Sequence, residues 1–379
     1  MDASNVSSSW DYCAWRVNDI EIGDSIYVLN PSVFEKTKWY NELPDSIVYA
    51  DGWLLGLKGD AEETVTVIDV EKGTRGIAGL AFNGNGYLRE VNVPGTVEYI
   101  GNSAFKMCQA LESVNINGVG EIAESAFRYC TSLKSVRLDC GIREIATHVF
   151  ANCTSLTSLE IPASVEYIGE EAFLNCTSLK DVRLDGIQEI ATRAFANCTS
   201  LTSLEIPASV ESIGEEAFTN CINVKKITVA DGVETIPVKA FADIDSLQTI
   251  TLGRNVKTIG SRAFSFTKER EIALYSNAMT PPDFVYEKRT DNVFFASTLR
   301  KEATARALIT VYVPVGCKAA YEEKWTGFKE IVELETLGID DVAGNVPSID
   351  LIYNLRGDRL QQITTPGIYI VNGKKIFVK

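Results

Sequence analysis

Apolar and polar positions alternate along this chain with a phase that repeats. Within one unit Leu156, Leu159 and Ile161 stand three and two residues apart, and the Leu-x-Ile alternation predicts a short strand with one buried face. Pro162 ends that strand because it has no N–H to give to a ladder, and Pro94, Pro207 and Pro314 end equivalent ones. A second apolar pair, Val165 and Ile168, turns the chain back, and Ala172-Phe173 sets a small residue beside a large one. The phenylalanines Phe82, Phe105, Phe127, Phe150, Phe173, Phe195, Phe218, Phe241 and Phe264 follow one another at 22 or 23 residues. The segment from Ala151 to Val165 returns unchanged as Ala196 to Val210, two units further on.

A single unit of this length cannot bury its apolar face. Copies stacked in register about 4.8 Å apart form a continuous core and satisfy one another's backbone, which predicts a solenoid. The expected strands are Leu111–Ile116, Leu133–Leu138, Leu156–Ile161, Leu179–Leu184 and Leu201–Ile206, all in one parallel sheet. The unit Ile-Gly-x-x-Ala-Phe-x-x-Cys-x-x-Leu-x-x-Val-x-Ile-Pro-x-x-Val-x-x-Ile, carried by nine phased copies, resembles the BspA-like (Treponema pallidum-type) leucine-rich repeats of bacterial surface proteins over about residues 20–335. The resemblance implies a right-handed leucine-rich-repeat solenoid, mainly β with short helical or irregular returns. It also implies a noncatalytic, extracellular or cell-surface role in adhesion to host proteins, matrix or other cells, of the Bacteroidetes kind.

The organisation expected is a lead or cap over 1–19, the solenoid with its terminal cap over 20–335, and a small β domain over 340–379, with Gly338 to Pro347 as linker. Phe34 within Ser32 to Tyr40, and Asp51-Gly52-Trp53, look like divergent first rungs of that class. Pro281-Pro282, Phe294 and Val311 to Pro314 look like lengthened last ones. Lys318 to Trp325 reads as a terminal helix covering the open end of the core, and residues 276–310 depart from the period. In the tail, Ile368 to Val371, Asn372-Gly373 and Lys374 to Lys379 predict a hairpin. That tail is similar to the C-terminal segments of many secreted Bacteroidetes proteins.

Composition narrows the chemistry. With 36 Lys+Arg against 51 Asp+Glu the formal charge is −15, which disfavours nucleic acid. The single histidine, His148, rules out any site that needs two imidazoles. No apolar run approaches the length of a transmembrane helix. Met1 to Asn5 is polar and acidic where a secretory signal is basic and then apolar, so either the chain is intracellular or its signal is not part of this sequence. No Gly-rich phosphate loop or nucleophile elbow occurs, and no cofactor or metal is expected.

Six of the nine cysteines, Cys108, Cys130, Cys153, Cys176, Cys198 and Cys221, follow the repeat phenylalanine by three residues. In-register rungs point these thiols in parallel rather than converging them on a metal, so they read as reduced core residues. Cys13, Cys140 and Cys317 lie off that column. The outward strand position falls on Asn92, Asn115, Arg137, Glu160, Arg183, Glu205, Thr228 and Thr251. Of these, Asn115, Arg137, Glu160, Arg183, Glu205 and Thr228 are the candidate ligand-binding residues, on a concave sheet that would meet a protein or glycan partner. The charges alternate in sign from Arg137 to Glu205, so the column reads either as a self-paired ladder or as a surface that contacts a ligand.

Trp10, Tyr12, Trp15, Trp39, Tyr40 and Trp53 read as plugs for the first rung, with stacking on sugars as the other option. His148 occupies the place of Arg193 in the copied unit and reads as an exposed variable position. Glu170-Glu171 and Glu215-Glu216 read as solvated loop charges, and the triplets at Asn152, Asn175 and Asn197 are formal glycosylation sequons that the repeat itself explains. Three functions follow: a binding module, a structural spacer or assembly component of the cell surface, and a carboxylate-dependent glycan hydrolase, the last requiring two acids that converge in a cleft.

Overall fold

The repeat phenylalanines meet face to face. In a computed structural model, which describes residues 31–138, 141–266, 270–286, 293–294 and 305–334 and the backbone of four strands within 352–378, ten rings stack from Phe82 to Phe264 and on to Phe294. Neighbouring centroids lie 5.0–6.2 Å apart and neighbouring planes within 20°. Phe294 continues the stack beyond Phe264 although 30 residues rather than 22 or 23 separate the two rings. Each buried ring contributes roughly 1.5–3 kcal/mol of transfer free energy, and a stacked pair about 0.5–1.5 kcal/mol more.

Along the repeat, rungs carry one strand before the turn-back, missing among the described residues only at Leu179 to Leu184, and a second, two- or three-residue strand after it. The first kind pairs in parallel from Val67–Asp69 through Glu90–Val93, Ser113–Ile116 and Ser135–Leu138 to Ser158–Glu160. It resumes with Ser203–Ile206, Lys226–Val229, Thr249–Leu252, Ile272–Ser276, Ile309–Pro314 and Glu330–Leu334. The single sheet expected across Leu111 to Ile206 is therefore two sheets, because Leu179 to Leu184 forms no strand. That rung lies between two prolines. Asn117, Ala230 and Asn277 close their strands by donating to the carbonyls of Val93, Ile206 and Leu252, a bond that Pro207 cannot make to the rung of Leu184 for want of an N–H. The other strands also begin two residues later than expected, since Leu111, Leu133, Leu156 and Leu201 still belong to the preceding turn.

The returns are strands rather than helical segments. Glu144–Ile145, Tyr167–Ile168, Glu189–Ile190 and Ser212–Ile213 form one parallel sheet that runs straight past the interrupted rung. Gly214 allows rungs to close up here, since a Cβ on it would lie 2.3 Å from the Thr192 nitrogen.

A third ladder runs through the phenylalanine turns and has no interruption. The amide of each repeat Phe donates to the next rung: Phe127 to Val149, Phe150 to Ala172, Phe173 to Ala194, Phe195 to Ala217, and so on from Phe82 to Phe264. The residues two before and two after donate in the same direction, as His148 does to Glu170 and Asn152 to Leu174. Pointing three alternate amides one way requires left-handed backbone at the flanking positions. Ser103, Ser125, His148, Glu171, Arg193, Glu216, Lys239 and Arg262 adopt it before the ring, and Met107, Tyr129, Asn152, Asn175, Asn197 and Asn220 after it. That geometry costs a non-glycine residue roughly 1–2 kcal/mol, which the inter-rung bonds offset.

At the N-terminal end Phe34, Val48, Trp53, Leu55 and Tyr99 form a small core on which Trp39, Tyr40 and Leu43 pack. Trp39, Tyr40 and Trp53 act as the plug expected of them, while Trp10, Tyr12 and Trp15 lie outside the described residues. At the other end the helix Lys318–Lys324 buries Tyr321 and Trp325, whose polar atoms donate to the carbonyls of Ala278 and Pro282. It does not finish the sheet, because Glu330–Leu334 follows it and adds one more strand. In the tail Gly367–Val371 and Lys374–Val378 pair antiparallel, as the Asn-Gly spacing predicts.

Phe173→Ala should cost about 3–5 kcal/mol, the range for an aromatic deleted from a close-packed core, and lower the thermal midpoint. Phe173→Leu should cost less, because it leaves the smaller void. A melt in which Phe173→Ala behaves like the native chain would show that the stack does not carry the core.

Candidate functional site

The outward column of the strand face is in register from end to end of each sheet. It runs Asp69, Asn92, Asn115, Arg137, Glu160 in the first sheet and Glu205, Thr228, Thr251, Tyr275, Tyr312 in the second. Arg183 lies between them on the rung without a strand. The column changes character along its length. At one end Asn115 donates to Asn92 at 2.7 Å and Asn92 to Asp69 at 2.8 Å, an amide ladder ending on a carboxylate. At the other end Tyr275 and Tyr312 stack with centroids 4.6 Å apart, and burial together with Tyr312 pushes the Tyr275 hydroxyl above its ordinary range.

Between these ends stand the charges. Arg137, Glu160, Arg183 and Glu205 are all exposed. None of the four makes an ion pair within 4.0 Å among the described residues, although Arg137 and Glu160 are direct partners in the ladder. The self-paired ladder that the alternating signs suggested is not formed on this face. Thr228 departs from its expected exposure: it is 4% exposed and Thr251 3%, because these short side chains sit recessed between Glu205 and the tyrosine pair. Asn115 is half-buried and already bonded, so the outward-reaching part of the predicted set is Arg137, Glu160, Arg183 and Glu205.

The paired charge ladder exists elsewhere, at the left-handed position before each phenylalanine. Glu171, Arg193, Glu216 and Lys239 alternate in sign and touch in sequence, with His148 at the end of the run. His148 Nε2 lies 3.1 Å from Glu171, Arg193 contacts both Glu171 and Glu216, and Lys239 lies 2.6 Å from Glu216. His148 is accordingly no exposed variable residue; its side chain is 21% exposed and its Nδ1 faces Glu124 at 3.6 Å. Glu171 likewise is not a solvated loop charge, at 13% exposed, whereas its neighbour Glu170 is exposed. Glu171 and Glu216 each hold cations of adjacent rungs, so they do not converge as an acid pair.

Two further ladders escaped the sequence reading. Asn152, Asn175, Asn197 and Asn220 pass one side-chain amide bond from rung to rung at 2.7–2.8 Å. Asparagine tolerates the left-handed backbone needed there, and the recurring Asn-Cys pair was the signal for it. Each ladder cysteine donates its thiol to the carbonyl of the previous rung's phenylalanine, from Cys108 to Phe82 at 3.0 Å through Cys221 to Phe195 at 3.4 Å. Burial pushes Cys108, Cys176 and Cys221 up to about 12 and Cys130, Cys153 and Cys198 well above the ordinary thiol value. All six are free, as is Cys317, whose sulfur lies 4.0 Å from that of Met279; Cys13 and Cys140 lie outside the described residues. Among the described residues no cluster of three or more His, Cys, Asp or Glu can hold a metal, and no helix is long and apolar enough to cross a membrane.

A family model described as the BspA type leucine rich repeat region, in six copies, matches residues 61–180 and 178–290. Among solved structures, a leucine rich repeat protein of T. pallidum is 29% identical over 45% of this chain and 82% of its own, with a TM-score of 0.41. A leucine rich cell surface protein of Faecalibacterium prausnitzii is 20% identical, covering 78% of this chain and 87% of its own, with a TM-score of 0.35. A leucine-rich repeat protein of Bacteroides ovatus is 20% identical, covering 77% and 91%, with a TM-score of 0.37. No curated protein matches.

Thiol titration of the native chain at pH 8 should find the six column cysteines unreactive, and denatured protein should release them; disulfides between successive column cysteines would contradict the geometry. The raised values also set a pH dependence. An unfolded thiol ionises near about 8.5 while the folded ones stay protonated to about 12 or beyond. The native state therefore holds more protons through that interval, and its stability falls as pH rises from about 8.5. Thermal midpoints measured between pH 8 and 11 should decline, and less steeply in Cys176→Ala. In the charge ladder, Glu171→Gln should cost about 1–2 kcal/mol and Glu170→Gln less than about 0.5 kcal/mol in a urea titration.

Proposed function

Because the chain belongs to the BspA-type leucine-rich repeat family, we propose that it is a noncatalytic binding module of the cell surface or extracellular space. On this reading Arg137, Glu160, Arg183 and Glu205 meet a protein or glycan partner. One observation carries the reading: four exposed charges of alternating sign on adjacent rungs remain without ion pairs, while on the turn Glu171, Arg193, Glu216 and Lys239 pair with one another from rung to rung. The sequence can pair charges between rungs and does so on the turn. Leaving them open on the strand face supports contact with an outside group, and the alternating signs favour a partner that carries both charges, as a protein surface does. The tyrosine pair and the recessed threonines extend the same face with an apolar, hydroxyl-bearing end.

A matrix-protein and glycan array probed with the purified chain supplies the partner. Arg137→Glu/Arg183→Glu should then weaken binding about tenfold or more, and because each reversal sets like charges beside Glu160 and Glu205 it should cost roughly 0.2–1 kcal/mol of stability, followed by a thermal melt. Unchanged affinity in the folded double variant would move the site off this face. Absence of any partner across the array would favour the structural spacer instead.

A further inference from the structure

The return strands present a second exposed sheet face, whose residues differ from those of the strand face. In Glu121–Ile122, Glu144–Ile145, Tyr167–Ile168 and Glu189–Ile190 the isoleucine is buried and the first residue faces outward. Glu144, Tyr167 and Glu189 are register partners in one sheet, while Glu121 ends the preceding sheet opposite Tyr99, whose ring is buried in the N-terminal core. Glu98 and Glu166, one position earlier, widen the acidic band. Arg143 is the one cation at that earlier position between Glu98 and Glu166. None of Glu98, Glu121, Glu144, Glu166 and Glu189 makes an ion pair among the described residues.

A hollow of about 310 Å³ opens within this face. Tyr99, Glu121, Ala123, Glu124, Glu144 and Tyr167 are among the residues that line it, Glu124 lying 3.6 Å from His148. Burial and the surrounding Glu189, Glu144 and Glu170 push the Tyr167 hydroxyl upward, in keeping with carboxylates gathered about that ring.

We propose that this hollow takes an arginine side chain of a basic polypeptide partner, the guanidinium lying against Tyr167 and forking to Glu121 and Glu144. The carboxylates select a cation. The flat aromatic wall and two acceptors on successive rungs suit a planar, forked guanidinium better than the point charge of an ammonium. The carboxylates are spread along rungs rather than converging, so they do not suit a single metal ion. The band extends beyond the hollow on both sides, which asks for several cations on one chain. None of these residues lies on the strand face, so this inference and the function proposed above stand or fall separately.

The test titrates the native chain calorimetrically with a peptide of alternating glycine and arginine and with its lysine counterpart. The arginine peptide should bind more tightly. Glu121→Gln/Glu144→Gln should weaken it about tenfold or more, while Glu62→Gln/Glu63→Gln, which removes the same charge from an exposed helix far along the chain, should change it less than about twofold. Tyr167→Ala should bring the two peptides to equal affinity. Thermal melts confirm that each variant is folded, and the isosteric exposed Glu→Gln changes leave the core untouched. Equal losses in the two glutamine pairs would mean attraction to net charge alone and would overturn the proposal, as would unchanged affinity in Glu121→Gln/Glu144→Gln or no binding of the arginine peptide.

Discussion

At each phenylalanine turn three amides point toward the next rung, and a rung without that neighbour would leave them unsatisfied beside an unburied ring. This constraint orders the rest of the structure. It forces the left-handed residues on either side of the ring, places the rings face to face, and sets each thiol against the carbonyl that the amide ladder leaves over. The sheets are subordinate to it. The strand-face sheet stops at Ser158–Glu160 and restarts at Ser203–Ile206, yet the Phe173 and Phe195 amides keep their bonds across the gap and the return sheet spans it.

Because the turns and the core hold the array together, the outer faces are free to differ. The turn uses its charges on itself, in the run from His148 to Lys239. The strand face and the return face pair some charges at their edges, as Arg89, Glu112 and Lys134 do on one and Glu234 and Lys257 on the other, but leave others open. Each keeps a distinct composition: alternating charge between an amide ladder and a tyrosine pair on one, carboxylates around Tyr167 on the other. Side chains that fill no core and close no ladder can change at little cost to stability. That freedom is what lets a repeat fold carry recognition on its surface.

Much of this was legible in the sequence, since periodicity reports burial directly: the phenylalanine column, the thiol column and the strand phase all follow from spacing. The interrupted rung was not. Leu179, Val182 and Leu184 match the pattern of their neighbours, and the bond that Pro207 cannot make to Leu184 is visible only once rungs are stacked. The turn ladder was missed because nothing in Glu171 or Arg193 announces left-handed backbone, and solvated loop charge is the ordinary reading of a Glu-Glu pair. On the strand face the sequence supplied the alternating signs of Arg137 to Glu205 but not whether they meet. That depends on side-chain reach, which the spacing of strands does not determine. Thr228 was placed on the correct face, but its short side chain between larger neighbours makes it inaccessible.

Native-state hydrogen exchange resolved by residue tests most directly whether the phenylalanine turns, rather than the sheets, carry continuity along the array. The amides of Phe127, Phe150, Phe173, Phe195 and Phe218 should be among the slowest in the molecule and alike in protection, while those of Val182 to Leu184 exchange rapidly between them. Phe173 and Phe195 exchanging as fast as Val182, so that the chain opens there into two separate units, would contradict the account.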